Sequence, residues 1–67
     1  MINITELQKN ELSKDINNLE ELLNNGDLDK LLLAIDELFL SNLDENDEPT
    51  EKAMKYQRLY DQIYNQN

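Results

Sequence analysis

Leu28, Leu31, Leu32, Leu33, Ile35, Leu38, Phe39, Leu40 and Leu43 crowd one stretch of the chain. Their spacing predicts a helix over about 28–42. An amphipathic surface helix normally carries a single apolar stripe, and this one is apolar around much of its circumference. Leu28, Leu31, Leu32, Ile35, Leu38, Phe39 and Leu43 form its main face. Leu33 and Leu40, seven apart, lie away from that face beside Asp29, Asp36 and Glu37. Such a helix needs cover on more than one side, from its own neighbours or from another chain.

Upstream, Leu12, Ile16, Leu19, Leu22 and Leu23 recur at helical spacing. Asn3 with Glu6, and Thr5 with Gln8, both fit the capping-box interval. These signals predict one helix over about 4–24. Ser13, followed by Lys14 and Asp15, offers a second capping site, so a break would fall near residues 10–13. Gly26 suits the left-handed residue that ends a helix, and Asp27 suits the cap of the next one. So short a connection predicts an antiparallel hairpin.

Downstream, Ala53, Tyr56, Leu59, Tyr60, Ile63 and Tyr64 form a stripe that predicts a third helix over about 49–65. Lys55 and Arg58 point away from it. Pro49 fits the first turn, where its missing N–H costs nothing. Asn65, Gln66 and Asn67 are expected to fray. The expectation is an all-α fold, a small antiparallel three-helix bundle in one domain over 1–67. An acidic linker at 43–48 separates the last two helices, and the central helix offers a surface for dimerisation.

Composition narrows the picture. The chain has 67 residues, 39% hydrophobic, with no cysteine and no histidine. Without cysteine there is neither a disulfide framework nor a thiolate zinc site, which points to the cytoplasm. The N-terminal residues lack a basic region followed by an apolar run, so no signal peptide is expected there. The run Leu31–Ile35 is far too short to cross a bilayer. The formal net charge is −9. Residues 44–48 hold four acids and no base, whereas 49–67 hold two acids and three bases. A surface of this sign repels phosphate backbones and anionic lipids, so direct nucleic-acid or membrane binding is not expected.

The commonest general base, nucleophile and metal ligands are missing with histidine and cysteine. Glu20 with Glu21, and Asp36 with Glu37, are adjacent acids that point about 100° apart on a helix, so spacing alone makes no shared-proton site. Asp44, Asn46 and Glu48 alternate like the first half of an EF-hand loop. That pattern fails at its sixth position, where Pro49 replaces glycine, and at its twelfth, where Lys55 replaces glutamate. Tyr56, Tyr60 and Tyr64 interleave with Leu59 and Ile63 rather than with lysines, which favours a core or interface over nucleotide stacking. A helix-turn-helix reading fails on charge, since Lys52, Lys55 and Arg58 are interleaved with Glu51 and Asp61. No catalytic residue, cofactor or metal is expected.

The function these features predict is a small acidic, non-enzymatic, cytoplasmic interaction or regulatory module. Its partner would be another protein or a second copy, as a homo-oligomer. Leu33, Leu40, Tyr60 and Tyr64 would supply apolar contact, with Asp36 and Glu37 setting orientation. Burying the two leucines would contribute about 3–5 kcal/mol. The alternative is an acidic inhibitor, a DNA mimic or antitoxin-like protein that neutralises a basic partner. In that reading Glu20, Glu21, Asp29, Asp36, Glu37 and the linker acids stand in for phosphates.

Overall fold

Thr5 opens the first helix in the computed structural model, which describes residues 2–67. Its hydroxyl accepts from the Gln8 N–H while the Gln8 side chain accepts from the Thr5 N–H, a complete capping box. Helix α1 (Glu6–Ser13) then ends after two turns. The Ser13 hydroxyl donates to the Asn10 carbonyl, and the N–H groups of Asp15 and Ile16 both turn back to the Leu12 carbonyl. Helix α2 (Leu19–Asn24) begins only after this turn.

The single helix expected over 4–24 is therefore two helices, and the molecule is all-α with four helices among the described residues. The cause is local. Ser13 turns its hydroxyl onto the Asn10 carbonyl, and Ser13, Asp15, Asn17 and Asn18 are residue types of low helix propensity. The apolar stripe survives the turn because Leu12, Ile16, Leu19 and Leu22 remain buried in one core.

Gly26, at φ +64°, closes α2. The Asp27 N–H reaches the Leu22 carbonyl and the Gly26 N–H the Leu23 carbonyl, both at 3.1 Å. This pair of bonds is a Schellman motif. Asp27 then caps α3 (Leu28–Ser41) by accepting from the Lys30 N–H at 3.2 Å. At the far end of α3, the Asn42 side-chain amide donates to the Leu38 carbonyl at 2.7 Å.

The acidic segment is a tight loop. Asp44 accepts from the Asn46 and Glu48 N–H groups through one carboxylate oxygen, and its own N–H donates to the Glu48 carbonyl. Asp47 takes the left-handed conformation, φ 60°. Leu43 and Pro49 pair across the loop as an isolated antiparallel bridge. Pro49 thus lies one residue ahead of the cap of α4 (Glu51–Gln66), not in its first turn as expected. Thr50 is the cap, accepting from the Ala53 N–H, while its hydroxyl donates to the Asn42 carbonyl at 2.6 Å.

Helices α3 and α4 form the principal antiparallel pair, with α2 packed on α3. Leu12, Leu31, Ile35, Tyr56 and Ile63 are the largest fully buried side chains. Helix α1 reaches α4 through the buried Gln8, whose amide donates to Gln62 and Gln66. The last residues do not fray as expected. Asn3 bonds to Gln66 and Asn67 through both its backbone and its side chain, and Ile2 beside it is buried. Among the described residues no helix is long and apolar enough to cross a membrane.

Candidate functional site

A helix that packs on its neighbours over one arc leaves the next arc open, and on α3 and α4 these open arcs adjoin. They form a groove in two adjoining stretches. One is lined by Ile35, Asp36 and Phe39 of α3 with Tyr56, Gln57, Tyr60 and Asp61 of α4. The other is lined by Asp29, Leu32, Leu33 and Asp36 facing Tyr60 and Tyr64. Asp36 and Tyr60 line both, so the two stretches adjoin along the helix pair. The stretch over Ile35 and Tyr56 encloses about 280 Å³. The stretch over Leu33 and Tyr64 is more open and holds about 380 Å³.

Apolar surface stays open along this groove. Leu33 is 57% exposed and Tyr64 62%, while Phe39 and Tyr60 are half-buried. The Tyr60 and Tyr64 rings stack one helical turn apart, with centroids 6.5 Å apart and planes within 5°. The pair places aromatic side chains along this face, and tyrosine is common in interfaces. Three carboxylates, Asp29, Asp36 and Asp61, edge it, and all three are exposed. Among the described residues its lining holds no lysine or arginine.

Four of the six basic residues form ion pairs outside this lining, Lys30 with Asp27 among them at 3.7 Å. Lys9 pairs with Glu20 at 2.9 Å and Lys55 with Glu11 at 2.5 Å. Hydrogen bonding from Lys55 holds the Glu11 carboxyl below its ordinary range, and the bond to Glu20 raises the Lys9 ammonium above its own. Lys52 approaches Asp15 at 3.9 Å. Tyr56, beneath the groove, is fully buried, and its hydroxyl donates to the Asp15 carboxylate in the turn between α1 and α2. Burial, and then this hydrogen bond, push its phenol well above the usual tyrosine range.

The six residues singled out from the sequence divide. Leu33, Asp36, Tyr60 and Tyr64 meet in the groove. Glu37 lies around the helix, in a shallow depression with Ala34, Leu38, Ser41 and the 15–18 turn. Leu40 is 55% exposed and lines neither stretch. Among the described residues, then, neither leucine is covered by its own fold to the extent the apolar count suggested. Asp61 and Gln57 join the groove without having been singled out. The signal for Asp61 was present, since it neighbours Tyr60 and stands three residues before Tyr64. The Tyr56–Asp15 pair, 41 residues apart, left no periodic trace.

No family model matches the chain, and no curated protein or solved structure matches it.

Proposed function

We propose that the chain is a non-enzymatic, cytoplasmic interaction module that docks another protein along the α3–α4 groove. The observation that carries this reading is the unpartnered apolar strip of Leu33, Phe39, Tyr60 and Tyr64. It joins exposed aromatic area to polar edges, the composition of an interface centre. The absence of histidine and cysteine from the sequence supports the non-enzymatic half.

A homodimer through Leu33 and Leu40 is the second form of this reading. Both leucines are more than half exposed on one side of α3, which suits a self-complementary contact. Against it, such pairing brings Asp29, Asp36 and Glu37 towards a copy of equal net charge. In the acidic-inhibitor alternative, Glu20 shares its charge with Lys9, whereas Glu21, Asp29, Asp36 and Glu37 form no ion pair among the described residues.

A photo-crosslinking side chain placed at Leu33 tests the reading in cells, with the same group at Leu7 on α1 as the control. The expected result is a discrete adduct from position 33 and none of that mass from position 7. Equal labelling from both positions would overturn it. Light scattering on the purified chain separates the dimer from docking on a different protein.

A further inference from the structure

The groove's charge identifies its occupant more narrowly than its apolar area does. Asp29 and Asp36 stand seven residues apart on α3, about 10 Å along the helix axis. Leu33 lies between them on the same side of the helix, and Asp61 faces Asp36 from α4 beside the Tyr60 ring. The apolar strip is therefore bordered by carboxylates on both helices, and among the described residues no basic side chain in its lining neutralises them.

We infer that the groove takes a basic amphipathic helix from another protein, resting apolar residues on Leu33 and the tyrosine pair and cations on Asp29, Asp36 and Asp61. The inference rests on the docking reading above and adds the chemistry of the partner. A helix meets the repeat of the rim, because cations at i and i+7 of an occupant lying along α3 match the Asp29–Asp36 interval. An extended segment rises about 3.3 Å per residue and would meet the same interval every third residue, with its side chains alternating faces. A second copy of this chain is the poorer fit. Its α3 carries the same acids, and like charges set together in an interface are unfavourable.

The probe is a synthetic helix of about 14 residues, leucine and lysine at helical spacing, long enough to span the groove. A second version has glutamine in place of every lysine. Binding to the full chain is read by fluorescence anisotropy and by amide chemical shifts. Two triple variants remove equal charge: Asp29→Asn, Asp36→Asn, Asp61→Asn in the groove, and Glu21→Gln, Glu45→Gln, Glu48→Gln away from it. The lysine helix is expected to shift Leu33, Tyr60 and Tyr64. The groove variant should weaken its binding about tenfold, and the distant variant less than about twofold.

Equal weakening by both variants would mean attraction to bulk charge, and overturns the inference. If the glutamine helix bound the groove as tightly as the lysine helix, the basic partner would be excluded while the docking face survived. If neither helix moved those three resonances, both readings would fall. Concentration-dependent broadening of the same resonances in the free chain would make a second copy the occupant, and would overturn the inference as well.

Discussion

Tyr56 joins three parts of the molecule: its ring fills the core, its edge underlies the groove, and its hydroxyl reaches Asp15. Asp15 keeps contact with water, so losing the hydroxyl leaves no sealed acceptor. Tyr56→Phe should therefore cost about 1.5–2 kcal/mol in urea unfolding at neutral pH, the low end for a bond to a charged group. The pH dependence has a definite sign. The folded state holds the phenol above its ordinary value near 10. The unfolded chain therefore releases this proton first as pH rises, and the associated stability is present below pH 10 and lost above it. Above roughly pH 10 the urea midpoint of Tyr56→Phe should fall less steeply than that of the natural chain. Parallel decline of the two would show that Tyr56 does not govern the alkaline limb. The core role of Tyr56 was legible in the sequence, because 53, 56, 59 and 63 repeat at helical spacing. Its partner was not, since periodicity records the face a residue occupies and not what waits there.

Helix ends were the most legible elements. Thr5 with Gln8, and Gly26 with Asp27, behave as their side chains dictate. The miss over 4–24 has a physical reason. A continuous stripe is compatible either with one straight helix or with two helices bent around one core. The low helix propensity of Ser13, Asp15, Asn17 and Asn18 favours the second. Pro49 was misplaced because a missing N–H is tolerated both inside the first turn and just ahead of the cap. Thr50 takes the cap position and carries two bonds at once, one to each side of the acidic loop. Thr50→Ala should accordingly cost about 1–2 kcal/mol. Thr50→Ser, which keeps the hydroxyl, should recover most of that loss. Equal losses in the two variants, read by thermal unfolding, would show that the methyl packing and not the bonds holds the α3–α4 junction.

The molecule hides its apolar surface unevenly, and stability can be separated from docking on that basis. Leu31 is fully buried, while Leu33 and Leu40 are more than half exposed. Leu31→Ala should cost about 2–5 kcal/mol. Changing Leu33 and Leu40 to Gln should move stability by less than about 0.5 kcal/mol each, because neither substitution opens a cavity. A loss of several kcal/mol from the latter pair would place them in a buried contact and remove the apolar half of the docking argument. The apolar excess of α3 was legible from its pattern. Which leucines the fold would cover depended on α2 packing against α3 and α1 reaching α4, a tertiary choice outside any single helix.

Charge acts on the whole chain in the opposite direction from its local ion pairs. Salt screens Lys9–Glu20 and Lys55–Glu11, which favour the folded state, but it also screens repulsion among the remaining acids. Fifteen acids face six bases, so repulsion outnumbers attraction, and exposed pairs contribute little individually. Self-repulsion at this net charge opposes compaction. The urea midpoint should thus rise as sodium chloride is raised from low to physiological strength. A fall over that range would mean that the pairs tying α1 to α2 and α4 outweigh the field of the whole molecule. The acids edging the groove add to that field and lower no local energy within the fold. A cationic partner seated there should relieve the same strain, and so raise the midpoint at low salt more than at high salt.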